Sequence, residues 1–374
     1  MGTLYKNILK PILFSFPPEL IHELITTTGE FLGQHSICIF ITNKLFFYKD
    51  NSLEQEILGI KFKNPIGLAA GFDYDARLTQ ILPSVGFGFQ SVGTITNSAY
   101  GGNPPPMLGR LPKSKSLMVN KGFKNIGVKN ISKNLKSLNF KTPLGISIGR
   151  TNSLKLKTQK QSVLDIISAF KVAEKSKLKN SYYELNISCP NLFGEITFYP
   201  PKNLEDLLTA IDKLELSKPL FIKMPIEKSD KEIKQMLKVI AKHKVEGVIF
   251  GNLQKNRKDP ALYQDEVEKF DVGNFSGKPT FKRSNELIKL AYSLYGKKLI
   301  IIGCGGVFSA SDAYIKIKLG ASLVQMITGM IYEGPQLIGD INKGLAELLE
   351  VDGFKNISEA IGVDLRPPAS VGHS

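Results

Sequence analysis

The sequence predicts an α/β protein, a (β/α)8 TIM barrel carrying an amphipathic helical extension at its N-terminus. Three observations lead there. Eight short stretches, residues 64–70, 89–96, 143–149, 182–188, 219–224, 246–252, 299–305 and 323–328, are β-rich and almost continuously apolar, as strands covered on both faces are. Segments with helical spacing alternate with them, at 76–85, 162–175, 204–214, 230–243, 285–295, 309–319 and 336–349. Gly, Asn, Ser and Thr collect at the end of each stretch. A closed barrel gathers all eight ends at one mouth, whereas an open doubly wound sheet would concentrate them at a single switch point.

Composition agrees with a large core. The chain has 374 residues, 42% of them hydrophobic, and no long low-complexity tract. Its cysteines, Cys38, Cys189 and Cys304, are odd in number, far apart and in no CxxC pair. That pattern argues against a disulfide framework or a metal centre and fits a reducing compartment. The net charge of +15 is large, but the lysines are scattered and no basic helix is interleaved with aromatics. No nucleic-acid partner is expected; a basic surface also suits anionic lipid or a small anionic substrate.

Along the chain, three units are expected: a helical segment over 1–50, the barrel over 51–349, and a tail over 350–374. In the first, Leu4, Ile8, Ile12, Leu13 and Phe14 lead to Phe16-Pro17-Pro18-Glu19, an entry into a second helix with Leu20, Ile21, Leu24 and Ile25 on one face. A third apolar run, 37–47, is broken by Thr42, Asn43 and Lys44. None approaches the ~18 to 20 apolar residues that span a bilayer, and no small-residue cleavage site follows an apolar core, so a secretory leader is not expected. With Lys6, Lys10, Lys44 and Lys49 beside them, these helices are suited to lie in a membrane interface; the alternative is that they cap the barrel. The tail, with Arg366-Pro367-Pro368-Ala369-Ser370, is expected to be loose.

The chemistry gathers at the fourth stretch, in Asn186-Ile187-Ser188-Cys189-Pro190-Asn191. Pro190 forbids helix there and turns neighbouring side chains outward. Two carboxamides then flank one thiol. Each Asn offers a donor and an acceptor, and a thiol can lose its proton near neutral pH, so the hexapeptide can hold a planar polar ligand and do proton chemistry on it. A structural turn around a half-buried cysteine is the other possibility. The remaining strand ends bring Ala69-Ala70-Gly71-Phe72-Asp73, Gly93-Thr94, Ser147, Lys223, Gly251-Asn252, Gly303-Cys304-Gly305-Gly306 and Thr328-Gly329. Glycines after the seventh and eighth strands, with Gly277 before them, expose backbone N–H groups suited to a phosphorylated cofactor or substrate.

These motifs, together with Val92-Gly93-Thr94-Ile95-Thr96, Asn120-Lys121-Gly122-Phe123, Ser276-Gly277-Lys278-Pro279 and Gly320-Ala321-Ser322-Leu323-Val324-Gln325, resemble those of the class 2, quinone-linked dihydroorotate dehydrogenases. The resemblance runs from about residue 1 to about residue 349. It implies FMN across the barrel mouth, contacted by Ala70, Gly71, Thr94, Ser147, Asn186, Lys223, Gly251, Gly277, Gly306, Ile327 and Thr328. It implies dihydroorotate and orotate as ligands, gripped by Asn120, Asn186, Asn191 and Asn252, with Cys189 as catalytic base. A membrane quinone would be the electron acceptor in de novo pyrimidine biosynthesis. The location implied is peripheral, on the cytoplasmic face of the cell membrane or on an organelle inner membrane in a eukaryote.

The chain departs from the class 2 pattern at several positions. Cys189 stands where class 2 has serine. Tyr74 stands where the family has a lysine that touches the substrate, leaving Lys121 and Lys124 as the cations within reach by sequence. Ser147, Leu253, Ile327 and Lys121 are further replacements. A divergent FMN-binding barrel with another substrate is therefore the alternative function.

Overall fold

The structure, a computed structural model, describes residues 2–194 and 196–366. Eight strands form the barrel: β1 (Ile66–Leu68), β2 (Phe89–Ile95), β3 (Leu144–Ile148), β4 (Tyr182–Asn186), β5 (Leu220–Met224), β6 (Gly247–Phe250), β7 (Ile300–Cys304) and β8 (Leu323–Met326). All neighbours run parallel in chain order, and β8 closes on β1 through Val324 opposite Ile66. The strands are buried along nearly their whole length, which accounts for their unbroken apolar sequence.

Helices cover the outside: α1 (Pro18–Gly33) and α2 (Ser36–Phe46) in the extension, then α3 (Val128–Leu135), α4 (Gln159–Lys175), α5 (Pro201–Asp212), α6 (Asp230–Ile240), α7 (Phe281–Tyr295), α8 (Ala310–Lys318) and α9 (Leu337–Val351). Capping boxes start two of them. Thr158 and Gln161 exchange side-chain and backbone bonds at α4, and Ser229 and Glu232 do so at α6.

The helix expected over 76–85 is reduced to a single turn, Leu82–Val85. The carboxylate of Asp73 accepts from the backbone of Arg77 (2.8 Å) and Leu78 (2.9 Å), and Ala76 has φ +61°, so the chain turns before it can wind. Helical spacing in the sequence does not mark α3, whose Val128, Ile131, Ser132 and Leu135 are buried beneath a Lys- and Asn-rich outer face. Nor does it mark a three-stranded antiparallel sheet (Leu108–Leu111, Ser116–Val119, Asn274–Phe275), whose third strand lies more than 150 residues after the other two.

The C-terminal stretch is not loose as far as residue 366. Ile357 and Ala360 are fully buried, Asn356 donates to the Glu54 carbonyl (2.9 Å), and the Gly362 N–H bonds the Ile317 carbonyl (3.0 Å). Phe354 and Ile361 pack beside them against the apolar cluster under α9, so the stretch is anchored by burial. Pro367 to Ser370 lie outside the described residues.

Candidate functional site

Where β2 meets β3, the pairing moves from Val92–Ile146 to Ile95–Ile148, so one extra residue bulges from β2. A bulge bends its strand and re-aims side chains. Here it turns Gly93 and Thr94 toward the mouth. Asn186 lies in register with Lys223 on β5. Asn186 Nδ2 donates to Thr94 Oγ1 (2.8 Å), and its Oδ1 accepts from the Ser188 N–H (3.1 Å) and hydroxyl (2.8 Å). Lys223 is buried along its length and lines the cavity, and its side chain makes no hydrogen bond or ion pair among the described residues.

Two glycines line the far side of the mouth in conformations and spaces that exclude a side chain. Gly306 has φ +74°, and a Cβ there would stand 2.4 Å from Cβ of Phe281. Gly277 has φ +80°, and its Cβ would stand 2.4 Å from the Lys115 carbonyl oxygen. Neither conformation nor space admits another residue. Between them Ser276 and Thr328 share a hydroxyl contact of 2.8 Å.

Cys189 is half-buried at the edge of the cavity, on a loop fixed from several sides. Asn191 Nδ2 donates to the Val119 carbonyl (2.9 Å) and its Oδ1 accepts from Asn274 Nδ2 (2.7 Å). Buried Arg150 donates to the Phe193 carbonyl (2.6 Å), and Asn252 Nδ2 donates to Ser188 Oγ (2.7 Å). Burial pushes the Cys189 thiol up to about 12, although the charges of Lys255, Arg150 and Lys223 pull it down. Desolvation thus outweighs a backbone hydrogen bond at Asn191 and three nearby cations, against the ionisation near neutral pH that the motif suggests.

Tyr74 forms the opposite wall. Its ring is stacked on His22 of α1 (centroids 5.2 Å apart, planes 11° apart), and the ammonium groups of Lys121 and Lys124 lie 4.4 Å and 5.8 Å from its centroid. Burial and the charge of Lys124 bring Lys121 down to about 7, against weaker opposing pulls from Glu19, Asp75 and Glu23. Burial and Lys121 bring His22 down to about 4, so its ring is neutral at neutral pH; one nitrogen contacts the Phe72 carbonyl at 2.9 Å.

Of the residues singled out from sequence, Ala70, Gly71, Tyr74, Thr94, Asn186, Cys189, Asn191, Lys223, Gly251, Asn252, Gly277, Gly306, Ile327 and Thr328 line this one cavity. Asn120 and Ser147 stand behind its wall. Asn120 Oδ1 accepts from Asn103 Nδ2 (3.0 Å), and fully buried Ser147 shares a 3.0 Å contact with Thr94 Oγ1. His22 was missed. Lying on a helix more than 40 residues before the first barrel strand, it reaches the mouth only because α1 docks there, which no local pattern announces.

A second, more apolar cavity of about 410 Å³ lies between the extension and the barrel. Leu9, Leu13, Ile21 and Ile25 face Leu78, Ile81 and Leu82 across it, and Arg110 is its charged member. Arg110 donates to the carbonyls of Phe14 (3.1 Å) and Phe16 (2.6 Å), with its guanidinium 4.5 Å over the Phe14 ring. His22 and Phe72 line both cavities.

A model of the family described as dihydroorotate dehydrogenase matches residues 52–349, the barrel together with its mouth. The chain belongs to the dihydroorotate dehydrogenase family. It is 34% identical to a dihydroorotate dehydrogenase (quinone) of Trichodesmium erythraeum over 97% of this chain and 99% of the relative. It is 37% identical to one of Christiangramia forsetii, over 92% and 99%. Among solved structures, DHODH of Eimeria tenella in complex with ferulenol superposes with a TM-score of 0.79 at 27% identity, covering 98% of both chains. These relatives cover the extension as well as the barrel.

Dihydroorotate dehydrogenases of this family use FMN, and the mouth fits it. Lys223 lines the mouth without a protein acceptor among the described residues, and Gly277 and Gly306 line it with backbone N–H groups that donate to no other backbone carbonyl among the described residues, where a phosphate needs donors. Among the described residues, no helix is long and apolar enough to cross a membrane.

Proposed function

We propose that this chain oxidises (S)-dihydroorotate to orotate with a quinone as electron acceptor, a step of de novo pyrimidine (UMP) biosynthesis. The observation that carries the proposal is the meeting of the Cys189 thiol, the carboxamides of Asn186, Asn191 and Asn252, and Lys223 at one barrel mouth. FMN, held by Lys223, Thr94, Asn186 and the backbone of Gly277 and Gly306, would supply the two-electron redox chemistry that side chains lack.

Everything else falls to the chain's own residues. The carboxamides present paired donors and acceptors to the edges of the pyrimidine ring and fix its orientation. Cys189 Sγ, as the thiolate, removes the proton from C5 as the C5–C6 double bond forms, and then returns it to water. Lys223 places a fixed positive charge where negative charge accumulates on reduction. Tyr74 offers only a hydroxyl to the substrate carboxylate, and Lys121 or Lys124, lying over its ring, supplies the missing charge.

The helical segment over 1–50 acts as the quinone entry and as a peripheral membrane anchor. Its exposed Leu20, Leu24, Ile37, Phe40 and Ile41 support this, as does the apolar cavity beneath it. The membrane face is the cytoplasmic one, or an organelle inner membrane in a eukaryote. Anaerobic addition of dihydroorotate should bleach the bound flavin, and a quinone analogue should restore its colour. A flavin that stays oxidised with dihydroorotate would rule the activity out.

A further inference from the structure

A short helical segment, Thr328–Glu333, has one end in the mouth and the other against the amino-terminal extension. Thr328 and Gly329 line the mouth. Thr328 shares its hydroxyl contact with Ser276, and a Cβ on Gly277 would stand 2.8 Å from its methyl carbon. The far end cannot satisfy its own backbone. Four residues beyond Ile331 comes Pro335, which has no N–H to give to the Ile331 carbonyl. The Tyr5 hydroxyl donates to that carbonyl instead (2.7 Å). The Tyr5 ring lies against Gly334, where φ is +105° and a Cβ would stand 2.8 Å from the ring, so only glycine lets it approach.

The next residue, Lys6, forms an ion pair with Glu333, whose other carboxylate oxygen takes the Lys115 ammonium (3.1 Å). Burial pushes this carboxyl group up, but the two lysines outweigh it and hold it below the usual carboxylate range. Lys115 also supports the opposite wall. Its backbone carbonyl, beside Gly277, accepts from the Lys278 N–H (3.2 Å). The Tyr332 hydroxyl ties the segment to the Ser116 carbonyl (2.6 Å), and the Phe14 ring meets Tyr332 edge-on with centroids 5.5 Å apart. The contacts that hold Thr328 and Gly277 together therefore run out through Ile331 and Glu333 to Tyr5 and Lys6, in the extension and not in the barrel. Neither proton transfer nor quinone entry uses them.

We propose that Tyr5 and Lys6 are positioning residues of the flavin site: they clamp the segment carrying Thr328 against the loop carrying Gly277 and so set how long the phosphate of FMN is held. The extension is thereby a wall of the flavin site as well as a quinone entry. This inference rests on the flavin assignment above.

The test follows FMN release from the flavin-loaded, full-length protein after dilution, by the recovery of free-flavin fluorescence. Tyr5→Phe removes only the hydroxyl, and Lys6→Met only the charge. Each should speed release about threefold to tenfold, as the loss of one hydrogen bond or one partly exposed ion pair does. Lys6→Arg should restore the parental rate. Lys10→Met, which removes the same charge from a lysine with no ion pair among the described residues, should release flavin as the parent does. The effect belongs to the phosphate end, so affinity for riboflavin, which lacks the phosphate, should equal the parent's in every variant. Parental release in both Tyr5→Phe and Lys6→Met, or equal weakening of riboflavin and FMN, would overturn the inference and leave the flavin assignment standing. A parent that neither carries nor takes up flavin would overturn both.

Discussion

At the scale of single residues, Cys189 and Lys121 are displaced from their ordinary titration ranges in opposite senses. Burial raises Cys189 to about 12 and lowers Lys121 to about 7. A base works only when deprotonated, so flavin bleaching at saturating dihydroorotate should climb with pH, about tenfold per unit, with no plateau at neutrality. A carboxylate anchor works only when protonated, so dihydroorotate affinity should weaken as pH rises above about 7. Stopped-flow bleaching across pH 6 to 10 separates the two. A rate that levels off near neutrality would contradict the raised titration of this half-buried thiol.

Replacing Cys189 with alanine should slow bleaching by roughly two to four orders of magnitude while flavin stays bound; a parental rate would remove Cys189 from the mechanism. Tyr74→Lys tests the anchor. If Lys121 or Lys124 already holds the carboxylate, a third ammonium beside them should tighten orotate binding only a few-fold. If neither does, a new charge-assisted contact of about 1.5 to 3 kcal/mol should tighten it tenfold to a hundredfold. The flavin spectral shift on orotate addition reads the difference. The sequence made Cys189, the carboxamides and Lys223 legible because each ends a strand. It did not reveal their titration, which depends on the desolvating neighbours that folding brings.

At the scale of elements, the strands were legible because burial on both faces forces an apolar run, and the helices from α4 onward because their apolar positions recur with helical spacing. The stretch after β1 was not. There Asp73 spends its carboxylate on the backbone of Arg77 and Leu78, and Arg77 is free to reach α1 instead of capping a helix. Its guanidinium meets Glu30 (2.6 Å), Glu23 (2.6 Å) and Thr27 (2.9 Å). These contacts are partly exposed, so each contributes modestly, and the three together, on one helix face, are worth about 1 to 2 kcal/mol. Arg77→Ala should therefore speed amide exchange in α1 by roughly tenfold while leaving the barrel strands unchanged. Equal acceleration in β4 and β5 would mean that the contact supports the whole fold and not the docking of the extension.

At the scale of the whole molecule, the extension does more than cover an apolar wall. Glu19 at the start of α1 accepts from the backbone of Met107 (3.0 Å) and Leu108 (2.9 Å), and His22 three residues later braces Tyr74 at the mouth. Deleting residues 1–50 should thus have three separable effects. Quinone reduction should be abolished, since the apolar cavity loses its outer half. Binding to anionic lipid vesicles should be lost, since the exposed apolar helices go with it. Flavin reduction by dihydroorotate should persist but with weaker substrate binding, because Tyr74 loses the ring stacked against it. His22→Ala in the full-length chain should reproduce only the third effect, a several-fold rise in the dihydroorotate concentration needed for half-maximal bleaching. Vesicle binding by the truncated protein equal to that of the full chain would leave the extension as a cap on the barrel, with the brace on Tyr74 as its contribution to catalysis.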